Sequence, residues 1–205
     1  MNIKHSTKKI IYMIIIMIII TVSLIRYYNL NRSFKVKDAF EKEIYTMNSI
    51  VETDENKCND FEIHPGLTFE ITNSEIYEFN KFQEKYNINE IPLDNRCKIL
   101  EVSLRITNIT DLINSIRLNF FEVVGTDWYA TLDYNLTYSI NEFFYENCRE
   151  DNLTLALNSK SSFEVKMIYI LDKARFSENK FKNLYDEKMY FELTILPVNK
   201  LIEFR

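Results

Sequence analysis

Alternating apolar and polar side chains in the second half of the chain predict β-strands with one buried face. The clearest stretch runs from Lys98 to Asn108. Its apolar side chains share one face of the strand: Leu100, Val102, Leu104 and Ile106. The polar side chains predicted to face solvent are Glu101, Ser103, Arg105 and Thr107. A helix would scatter the two sets around its circumference, so the pattern indicates a strand.

Similar patterns predict further strands, and turn residues separate several of them. Pro65-Gly66 supplies the turn before residues 67–71, and Gly125 opens the turn that follows residues 113–124. In the latter strand three side chains are predicted to point inward: Ile116, Leu118 and Phe120. The remaining predicted strands cover residues 44–51, 128–138, 153–157, 162–171, 188–196 and 201–204.

Between residues 74 and 86 the apolar side chains recur every three or four positions, which predicts a short helix capped by Ser74. Residues 87–96, which contain Pro92 and Asp94-Asn95, are predicted to be a loop. Residues 143–145 and 176–185 lack strict alternation and are predicted to be loops or single helical turns. About eight strands joined by mostly short loops, without a β-α-β rhythm, predict a mainly β domain. We expect two antiparallel sheets packed face to face with one or two short helices, and a barrel is the alternative.

The start of the chain has a different pattern. Residues 10–25 read IIYMIIIMIIITVSLI, an uncharged run that would form a helix about 24 Å long at ~1.5 Å per residue. Flanking lysines, Arg26 and two tyrosines can extend its reach toward the ~30 Å hydrocarbon core of a bilayer. A cleaved signal peptide and a buried core helix are the competing interpretations.

We therefore predict a single-pass membrane protein held by an uncleaved signal anchor. The predicted parts are a cytoplasmic tail (1–9), a transmembrane helix (10–28), a stalk (29–43) and an extracytoplasmic domain (44–205). Basic residues are nearly balanced on the two sides of the run, so the orientation follows from its likeness to a signal anchor. The expected location is the cell membrane, with the C-terminal domain outside the cytoplasm.

Charge argues against nucleic acid as a partner. The chain holds 25 basic and 30 acidic residues. Residues 1–26 contain four of the basic residues and no acid, so the remainder carries 21 bases against 30 acids, a net charge of −9. Phosphate backbones would repel such a domain. The chain has only two glycines, which excludes the glycine-rich loops that cradle nucleotides.

The three cysteines are Cys58, Cys97 and Cys148. Their spacing contains no C-x-x-C pair and no nearby histidine, so a metal cluster is not indicated. In an oxidising compartment two of the three could form a disulfide. Three buried, apolar thiols are the equally plain alternative, and all three pairings stay open.

Candidate catalytic residues are few. His64 is the only histidine outside the N-terminal tail, and it stands beside Pro65 without a nucleophile motif. Acidic groups occur at Asp54-Glu55 and at Glu146, Glu150 and Asp151, where solvated surface charge explains them better than paired catalytic carboxylates. We expect no enzyme activity, no cofactor and no metal site. Trp128 and Tyr129 are candidate binding aromatics, because such side chains are enriched at binding hot spots.

Four stretches carry a family resemblance: KILEVSLRITNITD, INSIRLNFFEVVGTDWYA, SSFEVKMIYILD and MYFELTILPVNKLIEF. Together they resemble the telokin-like, immunoglobulin-type β-sandwich domains of membrane-anchored and lipid-anchored Gram-positive proteins. The shared theme is a strand, V-x-N-x-[ST], a strand, an aromatic residue near a turn, and a final hairpin that contains proline. The resemblance covers roughly residues 44–205 and implies an immunoglobulin-like sandwich in the cell envelope, without implying an activity.

The leading functional hypothesis is a membrane-anchored extracytoplasmic interaction module. Its expected contacts are the lipid bilayer, through residues 10–28, and another cell-envelope protein. A carrier of a small ligand or lipid between the sheets is one alternative, and a hydrolase built from carboxylates is another.

Overall fold

The computed structural model describes residues 41–53, 56–58, 61–88, 96–142, 144, 148–149, 153–195 and 197–205, with four helical positions nearer the N-terminus. Those four are Met17, Thr21, Ser23 and Arg26. The rest of the predicted membrane segment lies outside the described residues. In the part that is described, no helix is long and apolar enough to cross a bilayer. The chain divides into two compact units, Met1–Glu41 and Lys42–Arg205, and the second is the domain described below.

Fourteen strands are numbered here in chain order among the described residues. The front sheet has the order β1-β14-β13-β8-β9, formed by Lys42–Thr46, Asn199–Glu203, Tyr190–Glu192, Glu122–Val124 and Tyr129–Thr131. The central sheet has the order β12-β6-β5-β2, formed by Ser162–Asp172, Cys97–Asn108, Leu67–Glu78 and Val51–Thr53. A three-stranded sheet joins β10, β11 and β7, which are Cys148–Arg149, Thr154–Leu157 and Asn114–Arg117. A hairpin joins β3 and β4, which are Asn56–Cys58 and Phe61–Ile63.

Short helices connect these strands. Three α-helices have bounds within the described residues, α1 (Phe79–Tyr86), α2 (Tyr134–Ile140) and α3 (Glu178–Lys182), and Phe144 is also helical. Single turns of 3₁₀ helix cover Leu118–Phe120, Lys173–Arg175 and Leu184–Asp186. The prediction of loops or single helical turns over residues 176–185 is confirmed.

One buried core lies between the front and central sheets, which makes the architecture a β-sandwich. Phe69 of β5 packs edge-on against Phe121, with ring centroids 5.8 Å apart. Phe121 in turn lies 5.3 Å from Phe191 of β13. All three rings are almost completely buried. The mainly β, sandwich-type prediction is therefore confirmed, with one difference: β1 pairs with β14 in parallel, so the sheets are not wholly antiparallel.

The central sheet is covered on both faces, and this corrects one prediction. Glu101 and Ser103, expected in solvent, are 3% and 5% exposed. A second apolar cluster lies on that face, where α1 and α2 supply side chains such as Phe82 and Leu136 against Ile99. The first half of β6 is therefore buried on both sides, while Arg105 further along is exposed, as predicted. Periodicity within one strand cannot reveal that helices from other segments cover its second face.

Helix α2 also corrects the strand predicted at residues 128–138. Only Tyr129–Thr131 is extended, and a helix starts after Asp133, whose side chain accepts a hydrogen bond from the Leu136 amide at 2.9 Å. This helix covers the outer edge of β12. The Asn141 amide side chain bonds both the N–H and the C=O of Lys166, at 3.0 and 2.9 Å. An exposed strand edge is prone to pairing with other chains, and the helix prevents that here.

The helix predicted over residues 74–86 begins five residues later than expected. β5 continues to Glu78, and a bulge between Ile71 and Asn73 shifts its register against β6. The bulge changes which side chains point inward, so the apolar spacing after it imitates that of a helix. The strand predicted over residues 113–124 is likewise divided into β7, a 3₁₀ turn and β8, which belong to different sheets. Ile116 and Leu118 are buried as predicted, and Phe120 is half-buried.

Candidate functional site

The two long central strands define two ends of the sandwich. Glu78 pairs with Lys98 at one end of the β5–β6 ladder, and Leu67 pairs with Asn108 at the other. Ten residues of β6 separate Lys98 from Asn108, a distance of about 33 Å at ~3.3 Å per residue. We name the Lys98 end the distal end and the Asn108 end the proximal end.

A cleft of about 420 Å³ opens at the distal end. It lies between the β5–β6 end and the segment that carries α3, and four cationic side chains line it against two carboxylates. The lining side chains are Arg96, Lys98, Lys173, Lys182, Glu78, Glu178, Phe181 and Tyr185. We call this the basic cleft. A volume of this size suits a small ligand or a short segment of a partner.

Lys98 is the most unusual group in the basic cleft because its side chain is only 5% exposed. Its ammonium lies over the rings of Tyr185 and Phe181, 4.1 and 5.1 Å from their centroids. A Glu78 oxygen lies 3.6 Å away, an ion-pair distance that is longer than a hydrogen bond. Among the described residues, no acceptor is within hydrogen-bonding distance of this ammonium. Its N–H groups are therefore positioned to bond an anion that enters the cleft.

Glu78 and Tyr185 form the wall beside Lys98. The Tyr185 hydroxyl donates to a Glu78 oxygen at 2.9 Å. Burial and this bond to a carboxylate raise the pKa of Tyr185 to about 12. The phenol is therefore protonated at neutral pH. Glu78 thus accepts from Tyr185 and lies at ion-pair distance from Lys98, and its bond to the hydroxyl fixes the Tyr185 ring beneath the ammonium.

The rim of the basic cleft is more exposed. Lys182 pairs with Glu178 at 3.3 Å, and both side chains are about two-thirds exposed. The hydrogen bond from Lys182 and the charge of Lys173 hold the pKa of Glu178 below its usual value. Ion pairs this exposed contribute little to stability. An anion that enters the cleft can therefore replace Glu178 as the partner of Lys182 at a small cost in free energy.

A second polar cluster lies close by but is internally satisfied. Glu101, on β6, accepts from Tyr86 at 2.8 Å and pairs with Lys85 at 3.2 Å. Lys85 also donates to Tyr77. Burial and the bond to Glu101 raise the pKa of Tyr86. The cluster fixes α1 against the central sheet, which is a structural role.

Comparison with known protein families identifies the family to which this domain belongs. A model described as "Domain of unknown function (DUF5028)" matches residues 42–200. The chain belongs to the DUF5028 family. A comparison with curated proteins finds no match.

Three of the solved structures similar to this DUF5028 domain come from Clostridium difficile, Bacillus anthracis and Listeria monocytogenes. An uncharacterised β-sandwich protein from Clostridium difficile 630 is 11% identical, with a TM-score of 0.42 over 80% of this chain and 97% of that chain. A conserved hypothetical protein from Bacillus anthracis is 14% identical, with a TM-score of 0.44 over 77% and 94%. A functionally unknown protein from Listeria monocytogenes EGD-e is 10% identical, with a TM-score of 0.42 over 71% and 70%.

The predicted binding aromatics of the DUF5028 domain also lie toward the distal end. Tyr129 is 58% exposed. Trp128 is half-buried, with its ring 5.3 Å from that of Phe176 in an edge-on contact. Its indole N–H donates to Glu187 at 3.0 Å. Trp128 therefore acts mainly as a packing residue, and Tyr129 stays a candidate contact.

Glu187 organises the surroundings of Trp128. One carboxylate oxygen accepts from Thr126, Trp128 and Lys180, at 2.6, 3.0 and 3.1 Å. Burial alone would raise its pKa, but bonds from Thr126, Lys180 and Trp128 outweigh burial and lower it. Lys180 also pairs with Asp127. These bonds join the β8–β9 turn to the α3 segment that forms one wall of the basic cleft.

The other residues singled out by the sequence are dispersed. Cys97 is a buried thiol at the start of β6, whereas Cys58 and Cys148 lie on β3 and β10. The disulfide therefore stays a prediction, with all three pairings open. His64 is exposed, and its carbonyl accepts from Thr53 at 3.4 Å. The acids named as catalytic candidates, at 54, 55, 146, 150 and 151, lie outside the described residues.

Proposed function

We propose that this chain is a membrane-tethered module outside the cytoplasm that binds an anionic group in the basic cleft. The observation that carries the proposal is Lys98, a nearly buried ammonium held over two aromatic rings, for which the described part of the chain offers no acceptor within hydrogen-bonding distance. Burying a charge is unfavourable unless it is paired and hydrogen-bonded. A carboxylate or phosphate bound in the cleft would supply that partner.

Charge distribution supports the same proposal. The chain beyond residue 26 has a net charge of −9, whereas four of the six charged side chains in the basic cleft are cations. A local excess of positive charge on an acidic domain attracts an anion to one place and repels it elsewhere. Two sources offer such a group: a small carboxylate or phosphate compound, and an acidic segment of another cell-envelope protein.

We propose binding without catalysis because of the groups in the cleft. Tyr185 stays protonated at neutral pH. The two carboxylates of the cleft are also engaged: Glu78 by Lys98 and Tyr185, and Glu178 by Lys182. Such groups hold and orient an anion. The sheet core offers less support for the alternative of a lipid carrier, because Phe69, Phe121 and Phe191 occupy the space where a carried ligand would lie.

The predicted immunoglobulin-like fold has a characteristic order of strands within its sheets, which can be compared with the central sheet. In that fold the sheets contain strands A-B-E-D and C-F-G, so the two middle strands of the four-stranded sheet, B and E, are separated along the chain by strands C and D. Here β5 pairs directly with β6, and only α1 and a loop separate them. We propose that the telokin-like relationship lies in the two-layer sandwich and its place in the envelope, with a different strand order in the central sheet.

Calorimetry with citrate and with inorganic phosphate tests the cleft in the full chain in detergent micelles. We expect saturable binding of at least one anion, loss of that binding in Lys98→Met, and no change in Lys81→Met. Lys81 is the matched control because it is exposed on α1. Equal binding by the wild type and Lys98→Met, or no binding of either anion and no crosslinked acidic partner in cells, would refute the proposal.

Topology has a separate test. Protease added to intact cells is expected to cut the domain if it lies outside the cytoplasm. Cutting only after lysis would show that the orientation is wrong.

A further inference from the structure

Three exposed apolar side chains stand together on the loop between β6 and β7. Leu112 is 73% exposed, Ile113 72% and Ile109 40%. Single apolar side chains on a surface are ordinary, but three within five residues of one loop form a local patch.

The loop is rigidly built around Asn108, which is completely buried. Its amide nitrogen donates to the carbonyl oxygens of Leu112, Asn158 and Leu157, at 2.7, 3.0 and 3.2 Å. Its oxygen accepts from the amide and hydroxyl of Thr110, at 3.0 and 2.8 Å. The apolar tip is therefore held in place before it meets any partner, which reduces the entropy lost on binding.

The loop lies at the end of the sandwich where the chain enters the domain. Lys42 starts β1 opposite Asn199, and the neighbouring Lys200 ammonium donates to the Glu52 carbonyl at 2.8 Å. Glu52 pairs with Thr68, one residue from the Leu67–Asn108 pair at the proximal end. The first residue of the domain and the apolar tip thus share the proximal end.

We propose that the apolar tip formed by Ile109, Leu112 and Ile113 inserts into the interfacial layer of the bilayer. This inference rests on the proposed membrane tether. The predicted span ends at residue 28, and the 13 residues before β1 reach at most roughly 45 Å when fully extended. The domain is therefore tethered close enough for its proximal end to meet the lipid.

The charged side chains beside the tip are compatible with insertion into the interfacial layer. Asp111 is exposed and pairs with Lys160 at 3.5 Å, and the Lys160 ammonium also donates to the Ile109 carbonyl at 2.6 Å. A lysine can keep its charge among headgroups while its stem lies along apolar surface. The tip would enter only the boundary between headgroups and acyl chains, where a paired carboxylate remains hydrated.

Fluorescence quenching in vesicles tests the inference with the full chain. Leu112→Trp places a reporter on the tip, and Ile113→Trp provides a second one at an equally exposed position. Tyr129→Trp is the matched control because Tyr129 is exposed on β9, toward the distal end. Tyr129 pairs with Val124, and Val124 pairs with Tyr190. Tyr190 in turn pairs with Glu203, near the end of β14 that lies away from the tip. Each protein is reconstituted into phosphatidylcholine vesicles with plain or brominated acyl chains.

We expect bromine to reduce the additional emission of both tip variants and to leave that of Tyr129→Trp unchanged. Unquenched emission from both tip variants, in protein that floats with the vesicles, would overturn the inference. Protein that fails to float would overturn the tether itself, so the two failures are distinguishable.

Discussion

Replacing Asn108 by alanine removes the centre of the proximal loop. The side chain makes six hydrogen bonds, three as donor to carbonyl oxygens and three as acceptor from Thr110 and Asn114. Each intramolecular hydrogen bond contributes about 0.5–1.5 kcal/mol net, and a buried carbonyl left without a partner costs a further desolvation penalty. Water can reach the exposed side of the loop and replace some of these bonds.

We therefore expect Asn108→Ala to lower the free energy of unfolding by about 2–4 kcal/mol. That is a large share of the roughly 5–15 kcal/mol typical of a domain. The corresponding fall in melting temperature is roughly 4–16 °C for a domain of this size. Asn108→Asp keeps the acceptor but turns a carboxylate oxygen toward three carbonyls, so its loss should be at least as large.

Urea unfolding of the full chain in micelles, followed by Trp128 fluorescence, measures these differences. Asn80→Ala is the control, because Asn80 is exposed on α1 and its loss should change stability by less than about 0.5 kcal/mol. The slope against urea should stay constant, since the sheets are unchanged. A loss below about 1 kcal/mol for Asn108→Ala, or near-wild-type stability for Asn108→Asp, would refute the reasoning.

Three further predictions concern the carboxylates and cysteines. The pKa of Glu187 is lower in the folded chain than in the unfolded chain, where a glutamate has a pKa of ~4.3. The ionised carboxylate therefore stabilises the fold above pH ~4.3, and this stabilisation is lost as the pH falls through the pKa of the folded state. The destabilisation by Glu187→Gln should therefore shrink between pH 7 and pH 3 in thermal melts, and a constant difference would contradict this. Glu101→Ala should lower the free energy of unfolding by about 3 kcal/mol, and Glu101→Gln should lower it by less. The reason is that glutamine, unlike alanine, keeps an acceptor for the Tyr86 hydroxyl of α1. Equal losses for the two variants in urea unfolding would contradict this. Non-reducing peptide mapping of protein from an oxidising compartment should show two of Cys58, Cys97 and Cys148 joined, and three free thiols would favour three buried, apolar cysteines instead.

The strands that could be predicted are those whose pattern is set by one regular ladder. β6 and β12 run within one residue of their predicted bounds, because long strands in a single register keep a period of two. The bulge in β5 breaks that period, and α1 therefore starts later than the spacing predicts. The tyrosines of α2 suit a strand as well as a helix, and the Asp133 cap decides in favour of the helix.

The basic cleft could not be predicted from the sequence because its parts are distant along the chain. Lys98 occupies the first polar position of an ordinary strand, and nothing near it in the chain indicates a buried ammonium. Its environment is created by Tyr185 and Phe181, which arrive from a helical segment more than eighty residues later. Trp128 was singled out for its residue type alone, and its role in fixing that segment through Glu187 needed the structure.

The opposite placement of the two proposed sites has a mechanical consequence. Lys98 lies one residue after the start of β6 and Asn108 ends it, and the strand is paired on both sides along its length, with β5 and β12. Such a three-strand ladder is stiff, so the roughly 33 Å between the sites is a fixed spacing. A tip that rests on lipid would therefore hold the basic cleft at a set height above the bilayer, facing outward. Because substitutions this far apart act independently, Leu112→Trp should leave anion binding at Lys98 unchanged, whereas coupling between them would require the sheet to deform.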